Sequence, residues 1–173
     1  INIARFTDQK DHMTLLKAIL ILIKKKINIK LLIMGYGTNK NKMQNFISKN
    51  KISKNVKIIN FQKNPYKFLK KSNLFILTSL YEGLPNVLLE AMVLKKFIIS
   101  SNCPTGPKEI LKNGKYGDLF NVGDYMNLSK KIIRYNKNSQ LNRSKINLAY
   151  KNLERFDYIK NCEEYFRIVY KNF

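Results

Sequence analysis

Leu74-Phe75-Ile76-Leu77-Thr78-Ser79-Leu80-Tyr81-Glu82-Gly83-Leu84-Pro85-Asn86-Val87-Leu88-Leu89-Glu90-Ala91-Met92 reads as a strand, a shaped turn and a helix in immediate succession. The run Leu74–Thr78 is apolar until its last residue, as a strand covered on both faces must be. Pro85 suits the first turn of a helix, where its missing N–H is no loss. Gly83 permits a tight turn and lets a ligand come close to the backbone. The N–H groups from Gly83 to Val87 then include the unpaired donors of a helix N-terminus, a natural place for a phosphate oxygen or a sugar hydroxyl. Glu82 stands just before the helix and Glu90 about one turn inside it. Either could simply complement the helix dipole. Their pairing with Gly83 and Pro85 in one turn favours a binding role.

The same alternation extends in both directions. Short apolar runs at Ile1–Ala4, Lys30–Met34, Val56–Asn60, Phe97–Ser100 and Gly117–Phe120 are predicted strands. Helical patterns cover Met13–Lys25, Asn41–Lys49, Tyr66–Lys71, Asn86–Leu94 and Pro107–Leu111, and a helix-rich stretch runs from Tyr125 to the end. Strands alternating with helices predict one Rossmann-like α/β domain, a parallel sheet with helices on both faces. Its α/β core spans about residues 1–137 and a helical tail about 138–173. In such a sheet ligands bind beyond the carboxyl ends of the strands. The turns that follow those ends are therefore where chemistry is expected.

Three further turns carry unusual residues. The first strand ends in Arg5, followed by Thr7, Asp8, Gln9, Lys10, Asp11 and His12. Arg offers a fork of donors and Lys a compact charge, so Arg5 and Lys10 could converge on one diphosphate. In a chain this basic, such pairs also arise by chance. His12 reads as a surface residue at a helix start. The second strand ends in Gly35-Tyr36-Gly37, which could bring backbone near a nucleotide but lacks the third glycine and the later acidic residue of a dinucleotide fingerprint. The segment Asn102-Cys103-Pro104-Thr105-Gly106-Pro107-Lys108-Glu109-Ile110-Leu111 could wall a pocket or be only a tight connection.

The chain has 33 Lys and Arg against 11 Asp and Glu, a formal net charge of +22. Such a field attracts phosphorylated substrates, anionic membrane surfaces or nucleic acid. The bland alternative is compositional drift, with the lysines as ordinary solvated faces. The charge is spread rather than clustered and the aromatics sit at apolar positions, which argues against a nucleic-acid-binding domain. Two cysteines, Cys103 and Cys162, and a single histidine speak against a disulfide scaffold or a zinc site and fit a reducing compartment. No apolar run approaches the roughly 18 residues of a membrane span. The chain opens inside a predicted strand without a Met, which leads us to expect that N-terminal sequence is missing.

Glu82 and Glu90, with seven residues between them, resemble the E-x7-E signature of retaining GT-B glycosyltransferases of family 4. Arg5 with Lys10, Gly35-Tyr36-Gly37, Glu82–Met92, Cys103–Leu111 and Gly114–Gly123 follow that family's order along nearly the whole chain. The strings Glu82–Ala91 and Cys103–Leu111 are similar to bacterial members that build capsules, lipopolysaccharide or lipid-linked glycans, above all the N-acetylgalactosamine transferases of undecaprenyl-linked assembly. The resemblance implies that this is the donor-binding half of such an enzyme. A nucleotide-sugar, UDP-linked by analogy, would give its sugar to a glycan or lipid-linked acceptor with retention of configuration. It implies that Arg5 and Lys10 hold the diphosphate, that Glu90 accepts from the ribose hydroxyls and that Glu82 lies by the transferred sugar. Gly83, Leu84, Pro85 and Asn86 would present backbone groups, Gly35 and Gly37 would approach the nucleotide, and Gln62 would lie near the base. No metal or other cofactor is implied, and no Asp-x-Asp motif occurs.

There are departures from the family pattern. Asn60 stands where relatives often have glycine, and Lys95-Lys96 replaces the glycine expected between the Glu90 helix and the fifth strand. The resemblance implies an acceptor-binding N-terminal domain, which is expected to be absent from this sequence. The stretch Asp157–Phe173 resembles the closing helix that crosses onto that domain, so its apolar face (Tyr158, Cys162, Tyr165, Phe166, Val169) is expected to be partly exposed. The expected location is cytoplasmic, peripheral at the inner face of the plasma membrane. The alternatives are a non-catalytic or split nucleotide-sugar-binding module that needs a partner chain, or another GT-B activity such as a phosphorylase. A phosphorylase would need a pyridoxal-phosphate lysine, and no context marks one.

Overall fold

The computed structural model describes residues 1–171, so the last two residues of the expected closing helix, Asn172 and Phe173, lie outside the described residues. The strands are β1 (Asn2–Ile3), β2 (Leu31–Gly35), β3 (Val56–Asn60), β4 (Leu74–Leu77), β5 (Phe97–Ser101) and β6 (Asp118–Phe120). Between and after them run α1 (His12–Lys24), α2 (Lys40–Lys49), α3 (Tyr66–Lys71), α4 (Asn86–Val93), α5 (Pro107–Ile110), α6 (Tyr125–Lys137), α7 (Ser139–Lys151) and α8 (Tyr158–Lys171). β3 and α3 match the sequence expectation to the residue. The other elements with expected bounds shift by a single residue at one or both ends, where helices and strands fray.

Every ladder is parallel. One sheet has the order β1-β2-β3 and a second β4-β5-β6. They abut along β1 and β4. There the Ile1 nitrogen donates to the Leu74 carbonyl at 2.7 Å, the Ile76 N–H to the Ile1 carbonyl at 3.0 Å and the Asn2 amide to the Ile76 carbonyl at 2.9 Å. Read across this seam, the strand order is 3-2-1-4-5-6. The direction of winding reverses between β1 and β4, which opens a crevice beyond their carboxyl ends.

Alternate residues of each strand face opposite layers. Ile33, Ile76, Phe97 and Ile99 pack beneath Leu15, Ile19 and Leu22 of α1 and Leu128 and Ile132 of α6. Met34, Phe75, Leu77 and Ile98 pack on the other face against Leu88 and Met92 of α4, Ile110 of α5 and Ala149 of α7. Asp11 starts α1 by accepting the Thr14 N–H at 3.1 Å. Between α4 and β5, Lys95 takes φ 52°, a conformation that favours glycine, so the missing glycine of this connection is met by a strained lysine.

The helical tail divides in two. α7 folds back onto α4 and β5 and is tied to β6 through Asp118, which is buried. Its carboxylate takes Lys145 Nζ at 2.6 Å and Arg134 Nη2 at 2.7 Å, and Lys145 also donates to the carbonyls of Gly114 and Gly117 at 2.9 Å each. α8 leaves the body. Tyr158, Cys162, Tyr165 and Phe166 are exposed and Val169 is half-buried, so most of the expected apolar face is open to solvent.

Burial alone would raise the Asp118 pKa, but Lys145 and Arg134 outweigh it and hold the carboxyl below its usual value. A depressed carboxyl stabilises the fold above its unfolded pKa, and that contribution fades as pH falls through the folded value. Asp118→Ala should lower stability at neutral pH by about 3 kcal/mol, because it strands a mostly buried Lys145. Urea unfolding checks this, and the gap from wild type should narrow under acid.

Candidate donor site at the strand ends

The turn after β4 is stitched to the turn after β1. The Leu80 N–H donates to the Gln9 carbonyl at 2.8 Å and the Gln9 amide to the Tyr81 carbonyl at 2.9 Å. The Thr78 hydroxyl donates to the Lys10 carbonyl at 2.9 Å. These bonds bring Lys10 and Glu82, 72 residues apart, into an ion pair of 2.6 Å with side chains only 14% and 7% exposed. The buried Ser79 hydroxyl donates to the same carboxylate oxygen, Glu82 Oε1, at 2.5 Å. Glu82 Oε2 takes no hydrogen bond from the described residues. Arg5 stands exposed at the end of β1 and makes no ion pair among the described residues. Of the two expected diphosphate ligands, the free chain commits Lys10 to Glu82 and leaves Arg5 open.

Beyond Glu82 the chain passes Gly83 and Leu84 and enters α4, with Pro85 at its cap position and no side chain capping its N-terminus. The first N–H groups, including that of Asn86, are therefore available to an oxygen-rich ligand. A Cβ built on Gly83 would meet nothing within 4 Å, so no protein contact of this fold demands glycine there. Glu90 follows one turn on, partly buried. Burial raises its pKa, and the nearby Tyr66 of α3 offsets part of that rise.

The loop after β5 proves to be a buttress. Gly106 lies at φ 58°, and a Cβ there would sit 1.9 Å from the Gly83 carbonyl oxygen and 2.6 Å from Pro85 Cδ. The Thr105 hydroxyl bonds the Glu82 carbonyl oxygen. Gly35 and Gly37 have a structural reason of the same type. Side chains on them would strike Ala4 and Phe6, at 1.9 Å from the Ala4 oxygen and 2.6 Å from the Phe6 oxygen. The two glycines let the β2 turn pack on the Arg5 turn, where the Phe6 N–H donates to the Tyr36 carbonyl at 2.6 Å. Gln62 is half-buried beyond β3 and donates to the Asn60 carbonyl at 3.2 Å. Asn60 itself accepts from Lys40 Nζ at 2.9 Å. Beside them the exposed rings of Tyr36 and Phe61 meet edge to face, with centroids 6.5 Å apart.

His12 corrects the sequence expectation. It is not a surface residue. It is 3% exposed, packs edge-on to Phe6 at 5.4 Å between centroids, and has no hydrogen-bond partner for either ring nitrogen. A polar residue at a helix start usually faces water, but the β1 turn folds over this one. Sequence reasoning also missed Ser79, Thr105 and Tyr66. Small hydroxyls at strand ends and a tyrosine on a short helix carry no signal until the turns meet. Among the described residues no group of three His, Cys, Asp or Glu side chains is placed to hold a metal ion.

The family model described as glycosyl transferases group 1 matches residues 1–152. An uncharacterised glycosyltransferase of Methanocaldococcus jannaschii is 48% identical over 111 residues, 64% of this chain and 27% of that protein. The N-acetylgalactosamine-N,N'-diacetylbacillosaminyl-diphospho-undecaprenol 4-alpha-N-acetylgalactosaminyltransferase of Campylobacter jejuni is 25% identical over 160 residues, 92% of this chain and 43% of its own length. Among solved structures, a variant of Staphylococcus aureus TarM in complex with fondaparinux, alpha-GlcNAc-glycerol and UDP is similar in fold. It has a TM-score of 0.89 at 24% identity, over 96% of this chain and 34% of that one. The chain thus spans less than half the length of each of these proteins.

Burial, with a smaller contribution from Lys10, holds the His12 pKa down to about 4. A depressed histidine leaves the fold unpenalised above the unfolded pKa near 6.5, and stability falls as pH drops from there toward the folded value. Between pH 7 and pH 4 His12 should cost the fold about 3 kcal/mol. That slope should be missing from His12→Phe in matched urea titrations.

Proposed function

The chain belongs to the group 1 glycosyl transferases, and we propose that it is the donor-binding half of an enzyme that transfers sugar from a UDP-sugar to a glycan or lipid-linked acceptor with retention of configuration. One observation carries this reading. A mostly buried lysine–glutamate pair and an uncapped helix N-terminus stand together at the reversal point of a parallel sheet. Cations and helix donors suit a diphosphate, and the carboxylate beside them suits sugar hydroxyls.

In this reading Arg5 and Lys10 neutralise the charge that develops on the departing nucleotide, and the first N–H groups of α4 add to it. No metal ion is needed for that task. Gly83 leaves the room a sugar requires, Leu84, Pro85 and Asn86 present backbone to it, and Glu90 accepts from the ribose hydroxyls. The partial burial of Glu90 strengthens such bonds by lowering the local dielectric. Tyr36, Phe61 and Gln62 flank the base. The incoming acceptor hydroxyl attacks from the face the nucleotide leaves, and the departing phosphate oxygen takes its proton. Glu82 stabilises the cationic sugar and transfers no proton, so the two glutamates are not the acid–base pair of a hydrolase.

Two features of the comparisons support the donor and the product. The TarM variant was solved with UDP, and the Campylobacter relative's name specifies an alpha product on a lipid diphosphate. That anomer is what retention of an alpha-linked nucleotide donor gives. The acceptor wall of the cleft comes from a further domain, on which the open face of α8 would rest. Charge of +22 favours work at an anionic membrane surface, and no described helix is long and apolar enough to cross a membrane.

Calorimetric titration with UDP and GDP tests the reading. UDP should bind saturably and more tightly than GDP. Arg5→Ala and Glu90→Ala should each weaken it by about tenfold, the loss of one charge-assisted hydrogen bond. Equal affinity for both nucleotides, or UDP binding indifferent to both substitutions, would overturn it.

A further inference from the structure

Glu82 is held from several directions at once. Its carbonyl oxygen is bonded by Thr105, and its N–H lies 3.5 Å from the Pro104 carbonyl. Its carboxylate is gripped through one oxygen only. Oε1 accepts from Lys10 Nζ at 2.6 Å and from Ser79 Oγ at 2.5 Å, while Oε2 is left with no bond from the described residues. Ser79 is fully buried at the end of β4, and its own carbonyl accepts from the buried Ser101 hydroxyl at 2.6 Å. Because Ser79 is fully buried, the hydroxyl that meets Glu82 is enclosed by the protein and away from solvent, whether or not Ser101 bonds its carbonyl.

The two donors to Oε1 differ in how they respond to a bound diphosphate. Lys10 is a cation, and an arriving dianion competes with Glu82 for it. The Ser79 hydroxyl is neutral and walled in, so the diphosphate exerts little pull on it. A glutamate side chain freed of both donors would regain several rotamers, and ordering it again costs roughly 1–2 kcal/mol. One donor that does not follow the ligand is enough to prevent this.

We propose that Ser79 is the positioning residue that keeps Glu82 aimed at the transferred sugar once Lys10 is drawn to the donor diphosphate. Oε1 stays on Ser79, and Oε2 stays free to accept a sugar hydroxyl. Ser79 touches neither sugar nor nucleotide. It selects for the sugar end of the donor and is indifferent to the nucleotide end. The inference rests on the reading of Glu82 as the group that faces the sugar.

The readout is the ratio of affinity for a UDP-sugar to affinity for UDP, measured with UDP-N-acetylgalactosamine, UDP-N-acetylglucosamine and UDP-glucose on the full chain. Taking the sugar with the highest wild-type ratio, Ser79→Ala should lower that ratio by about tenfold and leave UDP affinity within about twofold. Glu82→Gln should lower it similarly. Ser101→Ala, which alters the same buried corner but keeps the Ser79 hydroxyl, should leave the ratio near wild type. Should Ser79→Ala weaken UDP and UDP-sugar equally, or Ser101→Ala lower the ratio as much, the residue is only structural and the proposal is overturned. If Glu82→Gln moves the ratio and Ser79→Ala does not, the proposal fails alone. A ratio that no variant moves overturns the placement of Glu82 and the proposal with it.

Discussion

The contact between β1 and β4 sets the geometry on which the rest of this domain depends. Neither strand is long, and β1 has only two residues in its ladder. Yet the bonds from Ile1 to Leu74 and from Ile76 to Ile1, with the Asn2 amide as a further tie, join two three-stranded sheets. The turn after β1 carries Arg5 and Lys10, and the turn after β4 carries Ser79, Glu82 and the start of α4. Were these strands to part by even one strand's width, about 4.8 Å, the Lys10–Glu82 pair could not form. The buried polar network then has no partner to replace what it loses.

Around that seam, small residues are spent on bringing turns together. Gly35 and Gly37 admit the Ala4–Phe6 backbone, and Gly106 admits Gly83 and Pro85. Gly83 differs from them, since the protein leaves the space beside it open. Three glycines are thus explained by contacts within the chain, and the fourth faces space a ligand can fill. The network at Glu82 follows the same division. Its main chain and Oε1 are tied to the protein, while Oε2 and the α4 donors are not.

The two ends of the chain's charge distribution behave differently. Most lysines are solvated and cost the fold little, as the long Lys-rich helices tolerate. Among the described residues, Lys10 and Lys145 stand apart. Each is mostly buried and paired with a buried carboxylate, Glu82 and Asp118 respectively. Asp118–Lys145 holds a helix onto the sheet, with two carbonyls completing the lysine's bonds. Lys10–Glu82 lies beyond the carboxyl ends of β1 and β4, the place where sheets of this kind take ligands. The same residue types thus form one pair that joins a helix to the sheet and another that joins two turns at the strand ends.

Much of this was legible in the residues themselves. Apolar runs of strand length alternating with amphipathic helices require a parallel sheet covered on both faces, and β3 and α3 fell where their patterns end. Glu82, Gly83, Pro85 and Glu90 belong to one local turn, so their spacing in the chain already places them at one helix N-terminus. What lay beyond reach involves pairs distant in sequence. Ser79 and Glu82 are near in sequence, but their bond has meaning only beside Lys10, and Ser101 of β5 and Thr105 of the loop after it join them from elsewhere in the chain. His12 was misjudged because burial is decided by the turn that folds over it and not by its own position on the helix. Local periodicity and turn chemistry determine which elements form and which backbone donors are left unpaired. Tertiary packing alone decides which side chains share a carboxylate, since hydrogen bonds and ion pairs act over a few ångströms and have no record in chain order.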